Sequence, residues 1–431
     1  MSSFFEKFFK LKENGTNVRT EFIAGLTTFM TMAYILIVNP EILSATGMDP
    51  GKVFTATAIS AVIGTLVMAL LANLPFALAP GMGLNAFFAF SVCIGMGKSF
   101  SFALTAVFLE GIIFILLSLF NVREAIIKSI PNNIKKAVSV GIGLFIAFIG
   151  LANAGIIVDN PATFVGLGNV LEGTALLAII GIVVAGVLLA FNIKGALFIS
   201  IILTTIIGIP MGITQLPEKY IDMPSAPYFL SFEWSEIFSK DMIFVLITFL
   251  FVDIFDTVGT LVGVATKAKI LTPSGEVPRA KQALFADAVA TTAGAVLGTS
   301  TVTTYVESAA GVAEGGKTGL TAFFTALFFL AALLFSPIFL IIPGAATAPV
   351  LVLVGLFMLS PVKEINFEDY TEALPAFIAI IMMPLTYSIA NGIVFGILSY
   401  VAVKVFAFRF KDVPIFTYLL ALLFVAKLYF G

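Results

Sequence analysis

The sequence predicts an all-α polytopic membrane protein of fourteen transmembrane segments, folded as two inverted seven-span repeats. Short breaks, each a strand leading into a half-helix, are predicted in spans three and ten. Three observations carry this reading. The chain is 60% hydrophobic and only 11% charged, whereas soluble domains carry about a quarter charged residues. Apolar runs such as "TATAISAVIGTLVMALLANL" recur and reach the roughly 17–25 residues that cross a bilayer core as helix. Finally, similar short motifs return at about half the chain length, in the same order.

The predicted spans cover 20–43, 54–74, 77–96, 100–120, 134–157, 174–191 and 195–213. A polar segment, 214–240, precedes 241–264, 283–298, 302–315, 318–336, 344–360, 372–389 and 391–408. A last apolar run, "VPIFTYLLALLFVAKLYF", is a fifteenth span or an interfacial helix within 411–431. The start, "MSSFFEKFFKLKENGTNVRTE", is charged and lacks a small-residue cleavage site, so no cleavable signal peptide is expected. Lys and Arg set the orientation. With the N-terminus inside, the inner loops hold Arg19, Arg123, Lys128, Lys135, Lys136, Lys194, Lys269, Arg279, Lys317 and others, while the outer loops hold only Lys52, Lys98, Lys219 and Lys240. The N-terminus is therefore expected in the cytoplasm, with the chain in the plasma (inner) membrane.

The repeat is read from four matches. "IPNNIKKAVSVGIGLF" from Ile130 matches "IPGAATAPVLVLVGLF" from Ile342, and "LTA" recurs at Leu104 and Leu320. Ala56, Ala58 and Gly64 match Ala286, Ala288 and Gly294, and "TF" recurs at Thr28 and Thr248. Seven is odd, so the second copy must enter the membrane upside down. Many secondary transporters are built this way, with binding sites near the midplane at discontinuous helices.

Span three reads "LPFALAPGMGLNAFFAF", where Pro75, Pro80, Gly81 and Gly83 forbid an uninterrupted helix. Span ten reads "GTSTVTTYVESAAGVAEGG", an extended Thr/Val-rich run followed by helix formers. Glu307 lies just after this second break, where half-helix N–H groups favour negative charge. In span eight, Asp253, Asp256, Thr257 and Thr260 share one helical face. An intramembrane Asp costs several kcal/mol in lipid, so that face must turn to the protein interior or to a wet cavity. Thr27, Thr31 and Tyr34 form a milder stripe in span one, Asn85 follows the first break, and Phe76 and Tyr34 could stack on a flat ligand. Glu110 and Glu314 are weaker candidates. Each has a plainer reading as a cap, a back-bonded hydroxyl or packing.

The chain has no His and one Cys, Cys93, so His-ligated metals, His catalysis and an internal disulfide are excluded. A net charge of −2 gives no sign of a nucleic-acid partner. No nucleophile–base pair, metal-ligand cluster or cofactor motif is present, so neither an enzyme nor a cofactor is expected. "GMGLNA" lacks the Lys and the βα context of a phosphate loop.

Together, "APGMGLNAFF", "FVDIFDTVGTL", the "TTY-x-E" segment and the inverted repeat resemble the nucleobase/cation symporter-2 superfamily, nucleobase-ascorbate transporter type. The likeness is to its AzgA-like purine permease branch and covers about residues 17–410. It implies proton-coupled import of purine nucleobases (guanine and hypoxanthine, or adenine) by alternating access, and a homodimer. It also implies a core domain, 20–130 and 241–342, moving against a gate domain, 131–213 and 343–410. Carried over, Glu307 and Asp253 hold the base, Asp256 supports them, and Asn85 shapes the site. Backbone at Phe76–Ala77 and Val306–Ser308 contacts substrate, Tyr34 lines the site, and Asp253, Asp256 and Glu307 couple the proton. Uracil and xanthine branches often place a His near the span-eight motif, and its absence here disfavours them. An anion transporter of the same architecture is the main alternative, but it would favour a cation or bare helix termini over clustered acids.

Overall fold

The computed structural model describes residues 2–119, 131–217, 219–267, 270 and 277–430. Arg123, Lys128, Lys269 and the start of the repeat at Ile130 lie outside these. Each of the predicted segments contains helix, and eight helical segments among the described residues are long and apolar enough to cross a membrane. Span one is two helices, Val18–Met32 and Ile35–Ser44, with a turn at Ala33–Tyr34 that the sequence did not announce. Thr28 donates to the Ala24 carbonyl and Thr31 to those of Thr27 and Thr28. Such back-bonding competes with the helical ladder and bends it. The last apolar run is a helix, Ile415–Phe430, with Phe416 stacked on Phe251 and Phe424 edge-on to Phe244 of span eight.

The inverted repeat is visible in packing. Gly143 and Gly355, the equivalent glycines of the two "GLF" motifs, face each other. A Cβ on Gly355 would fall 2.4 Å from the Gly143 carbonyl oxygen, and one on Gly143 would fall 2.7 Å from that of Gly355. Reciprocal contact between equivalent residues is what a two-fold axis between repeats requires, and small residues let the two helices approach. Thr28 and Thr248, the two "TF" threonines, behave alike. Each donates to the carbonyl four residues upstream.

Both predicted breaks exist. Strand β1, Leu78–Pro80, leads into the half-helix Met82–Ala86, which widens to π geometry through Gly95. After β2, Ile157–Asn160, and β3, Phe164–Leu167, which form a separate hairpin, comes β4, Val302–Thr304, leading into the half-helix Ser308–Ala313. β1 and β4 pair antiparallel, with Leu78 opposite Thr304 and Pro80 opposite Val302. The pairing continues past both ends: Gly81 N–H donates to Thr301 and Tyr305 N–H to Ala77, each at 3.0 Å. This pairing satisfies backbone groups that lipid could not.

Candidate functional site

The ladder sets the site, because antiparallel strands place the two half-helix starts at its opposite ends. Helices on either side hold the strands by matching contacts. Thr65 of span two bonds both the N–H and the carbonyl of Leu78, and Thr291 of span nine donates to the Val302 carbonyl. Thus a threonine from the preceding span fixes the first residue of each strand. Thr301 donates to Glu110 at 2.6 Å, Ser300 bonds Asn85, and Asn39 reaches Thr57 and Thr299. Glu110 and Asn85 therefore brace the entry to β4.

Glu307 initiates the Ser308–Ala313 half-helix, but its side chain makes no capping bond to that helix. Instead the buried hydroxyl of Tyr34 donates to its Oε1 at 2.7 Å. The turn at Ala33–Tyr34 thus delivers a phenol from span one to the acid of span ten. Asp256 lies in electrostatic reach of Asp287 and of Glu307, and Tyr34 and Tyr305 lie beside Asp256 and Glu307. Gly81 makes room here: a Cβ would stand 2.6 Å from a Thr303 methyl and 3.3 Å from the Asp256 carboxylate. The Tyr305 hydroxyl closes the group by donating to the Pro80 carbonyl.

Asp253 enters a second group just beside the first. Thr257 donates to it at 2.9 Å, and the same hydroxyl lies 3.1 Å from both oxygens of Asp287 and 2.6 Å from Thr303. All four residues are buried. The span-eight stripe therefore bridges the two groups: Asp256 lies in electrostatic reach of both Asp287 and Glu307, while Thr257 ties Asp253 to Asp287 of span nine. Ser308 receives a bond from the Ala77 N–H at 3.0 Å, so the two breaks touch there. Phe76 is enclosed among Leu74, Leu261, Val264 and Val302, leaving its backbone rather than its ring at the seam. The Val306 side chain is exposed.

These elements (paired broken spans, acids at the seam, threonine braces) fit a carrier. A family model described as Permease family, Xan_ur_permease, matches residues 19–395. The chain belongs to this permease family. The permease is 46% identical over 436 residues to the guanine/hypoxanthine permease PbuG of Bacillus subtilis, covering 98% of each chain. It is 43% identical over 430 residues to the adenine permease AdeP of Escherichia coli, covering 99% of this chain and 96% of AdeP. Its fold is similar to that of the transmembrane domain of a cyanobacterial bicarbonate transporter, BicA. The TM-score is 0.69 at 17% identity, covering 87% of this chain and 97% of BicA's. The permease is thus a multi-pass membrane transporter, not an enzyme.

Sequence reasoning passed over three acids of the permease. Asp287 is the lone acid of the Ala-rich helix Ala280–Leu297, and that isolation was its signal. Glu21 is buried and accepts from the N–H and hydroxyl groups of Thr318 and Thr321 and from the Lys317 N–H. It caps the Gly319–Ala332 helix from another span. Glu41 meets Thr347. A wholly apolar cavity of about 270 Å³ lies elsewhere, between Ile247 and Phe251 of span eight and Phe416 and Leu420. With no polar lining it offers a base nothing to recognise.

Proposed function

We propose that this permease imports purine nucleobases (guanine and hypoxanthine, or adenine) across the plasma membrane together with a proton. The observation that carries the reading is Glu307: its carboxylate is held by Tyr34, not spent on its own half-helix. A carboxylate has about four acceptor sites, and Tyr34 donates to one of the two Glu307 oxygens. A purine offers N–H donors beside ring-nitrogen and carbonyl acceptors. Glu307 would accept from the base, with Asp256 beside it. Backbone groups at Phe76–Ala77 and Val306–Ser308 would meet the remaining edge, and Tyr34 and Asn85 would shape the pocket. The names of PbuG and AdeP, alike over nearly the whole chain, support this substrate class.

The proton has a place in the same reading. Thr257 has one hydrogen among Asp253, Asp287 and Thr303, and carboxylates clustered in this way favour holding a proton in common. Residues 20–130 and 241–342 would form the core that carries the site. Residues 131–213 and 343–410 would form the gate it moves against, in a homodimer with cytoplasmic N-termini. The fold shared with BicA concerns architecture alone, and an acid-lined seam is a poor host for an anion.

The test is uptake of labelled guanine, hypoxanthine, adenine, xanthine and uracil into a bacterium lacking its own purine permeases, each competed by the others. Saturable uptake of at least one purine, displaced by another and not by uracil, is expected. Uptake of uracil or of bicarbonate alone would overturn the assignment.

A further inference from the structure

Polar side chains join the two sets of spans near opposite ends of span one. At the beginning of that span, Gly315 packs beside Thr20, and its neighbour Glu314, closing the Ser308–Ala313 half-helix, pairs with Lys194 of the turn between spans six and seven. At the far end, Glu41 of the Ile35–Ser44 helix meets the Thr347 hydroxyl in the first turn of Gly344–Met358. A Cβ on Gly344 would stand 2.5 Å from a Glu41 oxygen, so the carboxylate sits directly on that helix start. From Thr20 to Glu41 a helix rises roughly 30 Å, the thickness of a bilayer core. In both pairs, one partner belongs to the spans read as core and the other to those read as gate. The same boundary also holds apolar contacts, as where the Phe90 ring meets that of Tyr387 and Gly83 meets Ile142.

We propose that Lys194–Glu314 and Glu41–Thr347 are the two bolts of the transport cycle, each broken when its own side of the carrier opens. The inference rests on the core-and-gate reading above, but not on the identity of the substrate. Both contacts are made at once here. The Lys194 side chain is 56% exposed and that of Glu314 24%. An ion pair so wetted is weak, as a contact broken in every turnover must be. The carboxylate of Glu41 on a helix start is likewise local and reversible. Cores packed across an interface have discrete arrangements, so small contacts at the rim select between them.

The test uses one reporter thiol. Cys93, the single and buried cysteine, is replaced (Cys93→Ala) and the exposed Val306 beside Glu307 becomes the reporter (Val306→Cys). An impermeant maleimide is then applied to either face of sealed vesicles. Lys194→Glu should raise labelling about fivefold from the face bearing the N-terminus and lower it from the opposite face. Thr347→Val should do the reverse. The exchange Lys194→Glu with Glu314→Lys should return labelling to within twofold of the background. Unchanged labelling, an equal rise from both faces, or no rescue by the exchanged pair would overturn the proposal. Purine uptake by the unaltered protein is measured alongside. Its absence would sink the substrate assignment and leave the labelling result standing.

Discussion

A carboxylate at Glu307 can be kept at membrane depth only if the protein supplies partners, and Tyr34 is one of them. That bond leaves the acid in use as a hydrogen-bond acceptor. Glu307→Gln keeps a carbonyl at the site, so the fold should lose at most about 1 kcal/mol, the scale of a lost local cap. A charge-assisted bond to a purine N–H should fall by about 1.5–3 kcal/mol, roughly 10- to 100-fold in affinity. Binding of labelled guanine or adenine to purified Glu307→Gln protein, with thermal unfolding recorded beside it, checks both. Wild-type affinity would leave Glu307 a structural residue. Asp253→Asn should act differently, because the amide keeps the Thr257 contact but cannot carry a proton. Exchange of labelled for unlabelled base should survive while uphill accumulation is lost, and normal accumulation would remove Asp253 from the coupling. Much of this was legible from spacing: three and four residues on a helix share a face, so Asp253, Asp256 and Thr257 had to cluster. Which acids they would join was not legible, since Asp287 and Glu307 arrive from other spans. Nor was the bond from Tyr34 to Glu307, which joins residues 273 apart.

The two broken spans are the elements that make the site, and their proline and glycine content announced them. Pro80 ends β1 with no N–H to offer, and Gly81 accepts the contact with Thr303 that any side chain would block. The bracing was hidden, because Thr65, Thr291 and Glu110 look like ordinary polar interruptions until the strands they hold are in place. The glycines at the repeat axis were visible as a motif but not as a contact. Gly355→Ala would put a methyl 2.4 Å from backbone, which cannot swing aside. Overpacking of this kind should cost about 1–3 kcal/mol, read as a lower unfolding temperature. The same change at Gly186, where a Cβ meets nothing within 4 Å, should leave stability unchanged or slightly raised. Equal effects at the two sites would contradict the close-packed axis.

At the scale of the whole molecule, the inverted repeat couples the site to its surroundings. Each half contributes one broken span to the strand pair, so the site belongs to neither half alone. The internal matches exposed this arrangement because both copies had kept a few packing residues in register. Which spans move together was legible only through the family resemblance, since rigid bodies are defined by contacts rather than by motifs. The proposed coupling to protons rests on acids gathered beside hydroxyls, with Thr257 between Asp253 and Asp287 and Tyr34 on Glu307. The most direct measurement is uptake of labelled guanine, hypoxanthine and adenine by the purified protein in liposomes, with and without an imposed proton gradient. The account predicts accumulation above the outside concentration with the gradient, only equilibration after a protonophore, and no accumulation by Glu307→Gln. Undiminished accumulation driven by Na⁺ with the proton gradient collapsed, or no uptake of any purine, would contradict it.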